Sequence, residues 1–154
     1  MITLLPRILK WTEILGIVLA VAGYVFKILH LAAADQMLMI GLNTLATTYF
    51  LFGFTVPPQV VDDGKPKGFA DLMPTILRKL LYIGLAVFLV GFLFAILHLE
   101  GARQMLMIGL GTLVGGVLLS MVLILGNRDR MTLLKDPLIR AVVFLLIFLV
   151  SYLR

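Results

Sequence analysis

The chain contains one unit twice. Residues 28–45 read ILHLAAADQMLMIGLNTL, and residues 96–113 read ILHLEGARQMLMIGLGTL. The offset is 68 residues, and 14 of the 18 positions are identical. The match thins outward without vanishing: Pro6, Ile8, Leu9, Gly16, Gly23 and Phe26 recur as Pro74, Ile76, Leu77, Gly84, Gly91 and Phe94. A duplicated unit means two copies of one structural solution. It also separates the polar residues that the unit needs from those that belong to one copy.

The material of the unit is apolar. Of the 154 residues 62% are hydrophobic and only 14% charged, with a mean hydropathy of +1.13. A soluble domain carries about a quarter charged residues. Here the charges cluster between long apolar runs, which describes an integral membrane protein. There are no cysteines, so disulfides, thiolate metal sites and Cys nucleophiles are excluded. The pI near 9.8 does not indicate nucleic-acid binding. The basic residues sit at span ends and short loops, where membrane topology accounts for them. Arg7, Lys10, an apolar run and Ala20-Val21-Ala22 imitate a cleavable signal peptide. Retention is expected, because this segment aligns with an internal one and Glu13 interrupts the start of its apolar run.

The expected fold is an all-α integral membrane bundle of four to five transmembrane helices, built from two helical-hairpin repeats of the same orientation. Hairpin repeat 1 covers 1–56, with spans at about 11–31 and 37–56. A polar connector, PPQVVDDGKPKGFADLM, occupies 57–73. Hairpin repeat 2 covers 74–126, with spans at about 80–99 and 104–126. A basic loop and a short fifth segment, about 138–153, fill 127–154. Twenty helical residues span about 30 Å, the hydrocarbon thickness. The fifth segment falls short of that and spans only if Arg140 and Arg154 snorkel. Ten basic residues fall on one side of these spans (Arg7, Lys10, Lys65, Lys67, Arg78, Lys79, Arg128, Arg130, Lys135 and Arg140). Lys27, Arg103 and Arg154 fall on the other. The positive-inside rule puts the N-terminus in the cytoplasm and, if the fifth segment spans, the C-terminus outside. Each unit holds two spans, so the copies are parallel repeats about an axis along the membrane normal.

Few residues are candidates for chemistry. His30 and His98 are equivalent, at the outer ends of spans one and three. Each imidazole is expected to bind the last helical carbonyls or the turn backbone. A proton-handling role is the alternative, and a metal bridge lacks a third ligand. Lys27 lies three residues before His30 on the same face, and its counterpart is Ala95, so the hairpin does not need it. Snorkelling is expected, with Asp35 as a partner across the turn. Glu13 has Leu81 as its counterpart and is expected to pair with Lys10 at the cytoplasmic edge. No Asp or Glu lies in either second span, where a proton-driven machine would place one. Gly16, Gly23, Gly41, Gly84, Gly91 and Gly109 are read as close-packing positions within the hairpins. Gly111 and Gly115 form an additional GxxxG pair suited to a helix of another protein. The paired methionines, Met37/Met39 and Met105/Met107, are read as packing residues. No nucleophile–base pair, metal cluster or phosphate loop is present, so no enzyme and no cofactor are expected.

The run Tyr24-Val25-Phe26-Lys27-Ile28-Leu29-His30-Leu31, then Ala34-Asp35-Gln36-Met37-Leu38-Met39-Ile40-Gly41-Leu42-Asn43-Thr44, resembles the N-terminal membrane hairpin of the GldL family. That family shows an FK-I-x-H-W-like end to its first helix, a small-residue turn and an M-L-I-x-G-L-x-T start to its second. The copy at 94–113 is similar nearly as closely. The resemblance implies a part in the inner-membrane motor of the gliding and type IX secretion apparatus of Bacteroidetes. In that apparatus several hairpins surround helices of a single-span partner, GldM, and proton flow drives motion. It makes Lys27 and His30 counterparts of the family's polar residues near the periplasmic side. The family's second helix carries a glutamate soon after its G-L-x-T, whereas Leu45 and Leu113 follow the threonines here, and the family's long cytoplasmic tail has no counterpart. The expected function is therefore a non-enzymatic scaffold or assembly subunit in the lipid bilayer. Its expected partner is a GldM-like membrane protein or further copies of itself. A small transporter or ion pathway, with Lys27, His30 and His98 at its outer mouth, is the alternative.

Overall fold

The computed structural model describes residues 5–55, 69–126 and 131–153, with side chains for 7–55, 72–126 and 134–149. Among the described residues there are five helices and no strand: α1 (Leu5–Ile28), α2 (Ala34–Phe54), α3 (Phe69–Ile96), α4 (Ala102–Gly126) and α5 (Met131–Leu153). The first four are long and apolar enough to cross a membrane, over Arg7–Ile28, Ala34–Phe54, Leu72–Ile96 and Ala102–Gly126. The protein is a multi-pass all-α membrane bundle. The basic residues Lys65, Lys67, Arg128, Arg130 and Arg154 lie outside the described residues, as does most of the 57–73 connector.

Three helices start before their apolar runs. α1 begins at Leu5, α3 at Phe69 and α5 at Met131. Apolar length marks the part of a helix in hydrocarbon. The backbone hydrogen bonding that defines the helix continues into the polar flank. The last residues of the expected connector thus belong to α3.

α1 packs along α2, α3 along α4, and α2 against α3, while α5 lies against α3 and more lightly against α4. α2 and α3 form the centre. Leu38, Leu42, Leu45, Tyr49 and Phe52 make the buried stripe of α2, at the spacing that keeps one helix face inward. Leu77, Leu81, Leu85, Phe88 and Leu89 make that of α3. Half of the spans of α2 and α3 is buried, against 22% for α1 and α4, whose outer faces are apolar and meet lipid.

The two hairpins close by identical contacts. A Cβ on Gly23 would lie 2.7 Å from the Leu38 nitrogen, and one on Gly91 would lie 2.8 Å from that of Leu106. Gly41 abuts the backbone of Ala20, and Gly109 that of Phe88, its equivalent. Without a hydrophobic force between helices in lipid, such close backbone approach is what drives their packing.

The turns also match. Leu31 N–H donates to the Phe26 carbonyl at 2.9 Å and His30 N–H to Lys27 at 3.2 Å. Leu99 and His98 repeat this on Phe94 and Ala95 at 2.9 and 3.3 Å. These paired bonds form a Schellman motif, whose C′ residue must be left-handed. His30 and His98 hold that position, with φ of 53° and 54°. Histidine is one of the few non-glycine residues enriched there. This corrects the expectation for the imidazoles: both are exposed, and neither makes a hydrogen bond among the described residues. It is the histidine backbone that shapes the turn. A second left-handed residue follows in each copy, Ala33 at φ 66° and Gly101 at φ 82°.

Candidate functional site

One polar cluster lies inside the bundle. Its centre is Glu13 on α1, 9% exposed and about 9 Å along the helix from Arg7. The Tyr49 hydroxyl of α2 donates to Glu13 Oε1 at 3.0 Å. Arg140 Nη2 of α5 donates to Glu13 Oε2 at 2.9 Å. Arg140 Nη1 donates to the Tyr82 hydroxyl of α3 at 2.8 Å. The guanidinium also faces the rings of Phe52, Tyr49 and Tyr82, at 5.1, 5.7 and 5.9 Å from their centroids. Four helices thus meet on one ion pair held in an aromatic cage. Arg78 flanks the cage, 5.4 Å from the Tyr82 ring centroid, and donates to the Thr55 carbonyl at 2.6 Å, closing the end of α2.

This overturns the expected Lys10–Glu13 pair. Lys10 is exposed, and Glu13 turns inward. A carboxylate inside hydrocarbon needs a partner that is also held there. Arg140 is anchored by Tyr82 and three rings, whereas a lysine at the helix edge reaches headgroups and water at lower cost. Tyr49 and Tyr82 were not singled out from the sequence, and Arg140, named there only as a residue that would snorkel to the membrane edge, turns inward instead. A signal for two of them existed: like Glu13, they stand where the other copy is aliphatic. Tyr49 corresponds to Val117, Tyr82 to Ile14 and Glu13 to Leu81.

A second polar contact closes the opposite end. Lys27 Nζ donates to Asp35 Oδ1 at 2.8 Å and to the Ile96 carbonyl at 3.0 Å. Ile96 ends α3, where carbonyls lack helical donors. The lysine therefore does not simply extend past His30. It ties the first hairpin's turn to the second hairpin. His30, His98, Lys27 and Asp35 lie at this end, with Glu13 at the other.

Between these ends the interior is apolar. The Thr48 hydroxyl donates to the Thr44 carbonyl at 2.7 Å and lies 3.2 Å from the Thr12 hydroxyl, and Ser120 donates to the Gly116 carbonyl at 2.7 Å. Among the described residues no buried side-chain nitrogen or oxygen lacks a hydrogen-bond partner, and no three His, Asp or Glu residues gather as metal ligands. Of the glycines, a Cβ on Gly16 would lie 2.8 Å from Leu45 Cγ and one on Gly84 3.0 Å from Thr112 Cγ2, whereas nothing lies within 4 Å of a Cβ on Gly111 or Gly115.

The family described as the GldL N-terminal domain matches residues 15–65, about a third of the chain. The first hairpin is thus similar to that domain from the third turn of α1 through the whole of α2. Lys27, His30, Asp35 and Tyr49 lie inside the matched stretch, and Glu13 lies just before it. Neither the curated proteins nor the solved structures contain a match to the chain.

Proposed function

We propose that this chain is a non-enzymatic scaffold or assembly subunit of a bacterial inner membrane, with its N-terminus in the cytoplasm. Its role is akin to that of the GldL membrane hairpin in gliding or type IX secretion machinery. One observation carries this reading. Lys27 and Glu13, charges that only the first copy has, both join the first hairpin to helices later in the chain. Lys27 reaches the end of α3, and Glu13 reaches α5. The departures from the repeat thus serve assembly of the bundle. Both Glu13 oxygens are engaged, and beyond Asp35 in the first turn of α2 the second spans carry no acid, which argues against a proton-driven motor.

Isolation from native membranes tests the proposal. The expected result is co-purification of a single-span membrane protein, GldM-like in having one apolar helix. The buried carboxylate is the feature that favours an ion pathway instead. Proton or solute flux through the chain alone in vesicles, lost in Glu13→Gln and Lys27→Ala, would replace the scaffold reading. Labelling of Ala33→Cys from the outer side only is expected for the stated orientation.

A further inference from the structure

One face of α2 carries a seam that nothing in the bundle covers. Gln36, Ile40, Asn43, Thr47, Phe50 and Phe54 follow one another in alternating steps of four and three residues, and all six are exposed. Those steps are the spacing by which one helix pairs lengthwise with another. The buried stripe from Leu38 to Phe52 lies on the opposite side of the helix.

The middle of the seam is polar. Asn43 stands about 14 Å of helical rise from the start of α2 and about 16 Å from its end. Thr47 follows one turn later. With Ala46, Ala86, Val87 and Val90 they line a shallow groove between α2 and α3. Neither side chain makes a hydrogen bond among the described residues. Thr44 and Thr48 each bond the carbonyl four residues back, and Thr47 does not. A carboxamide without a partner is costly in hydrocarbon. Asn43 is too short to reach the headgroups from this depth, and acyl chains offer neither donor nor acceptor. The hairpin itself does not need the two residues, because the second copy has Gly111 and Gly115 in their places.

The chemistry of the amide chooses the occupant. A carboxamide is its own complement, since its nitrogen donates and its oxygen accepts. Two chains inserted in the same direction hold Asn43 at one depth. A two-fold axis along the membrane normal then sets amide against amide and the seam against itself. Among the described residues no other exposed side chain so far from a helix end is polar and without a partner. A single asparagine within such a seam also fixes the register and the number of helices that pair.

We infer that the exposed seam of α2 is the contact surface for a second copy of this chain. The two α2 helices lie parallel, and their Asn43 side chains exchange hydrogen bonds at the centre of the bilayer. The pairing rests neither on the scaffold reading nor on the side that holds the N-terminus.

The chain has no cysteine, so one introduced thiol reports the contact in the membrane of an expressing cell. Ile40 and Ile108 are equivalent in the two copies, and they are 59% and 63% exposed. With copper phenanthroline, which enters the bilayer, Ile40→Cys is expected to form a disulfide dimer of twice the chain mass. Ile108→Cys is expected to form little. Asn43→Leu in the Ile40→Cys chain is expected to lower the dimer yield at least about threefold. Asn43→Gln keeps the carboxamide and is expected to retain most of it. Equal linking at Ile40 and Ile108, linking at neither, or a yield unchanged by Asn43→Leu overturns the proposal. Phe50→Cys against Leu118→Cys, the next equivalent pair along the seam, repeats the comparison should Ile40→Cys not insert. Asn43→Ala takes the place of Asn43→Leu on the same condition.

Discussion

Arg140 Nη2 lies 2.9 Å from Glu13 Oε2, although 127 residues separate them in the chain. Both side chains are mostly buried, at 24% and 11% exposed. The pair joins the last helix to the first, and the Tyr49 and Tyr82 hydroxyls complete it. Its worth lies in being complete. Breaking a buried pair leaves one group uncompensated, which is costlier than removing both.

Arg140→Leu is therefore expected to destabilise the bundle by about 3–5 kcal/mol. Adding Glu13→Leu, the residue that the second copy has at this position, is expected to recover a large part of that loss. Unfolding of the two single variants and the double in detergent measures it. Losses that simply add would show that the two groups are uncoupled.

Lys27→Met is expected to lower the thermal midpoint more than Asp35→Asn. Asp35 is 63% exposed, so its ion pair is screened by solvent. Lys27 also satisfies the carbonyl at the end of α3, and methionine cannot. Equal losses would mean that the Ile96 contact contributes nothing.

Gly109→Ala is expected to cost about 1–3 kcal/mol, since the added methyl lies 2.6 Å from the Phe88 Cα and backbone cannot give way. Gly111→Ala meets nothing within 4 Å and is expected to be neutral or to stabilise by up to about 1 kcal/mol, the helical advantage of alanine. Thermal unfolding distinguishes them. A Gly111→Ala chain that is stable yet loses a membrane partner would show that α4 receives a helix there.

The turn offers a reciprocal pair. Ala33→Gly is expected to stabilise the first hairpin by about 1 kcal/mol, the cost of a left-handed Cβ. Gly101→Ala is expected to lose a similar amount in the second, where only Gln104 Oε1 comes within 4 Å of the new methyl and strain is conformational. Opposite shifts of the thermal midpoint check both. A loss at Ala33→Gly would refute the account.

The spans and the hairpin pairing were legible because they depend on local pattern. Apolar length, turn residues and a 68-residue repeat all lie in contiguous stretches. The histidines were legible as repeated but not in role, since the left-handed backbone at His30 and His98 depends on a hydrogen-bond pattern that composition does not display. Comparing the copies marked Lys27 and Glu13 as extra, and the same comparison, extended to Tyr49 and Tyr82, would have marked those too.

By itself, then, the sequence determined a membrane bundle of duplicated hairpins, because hydrocarbon forces backbone hydrogen bonds into helices and the repeat forces two alike. Only the tertiary structure decided where the charges went. Lys10 was the nearest base to Glu13 along the chain, but a buried carboxylate is stabilised by whichever cation is itself held inside. That cation, Arg140, comes from the far end of the sequence, in a position set by how α5 lies on α3.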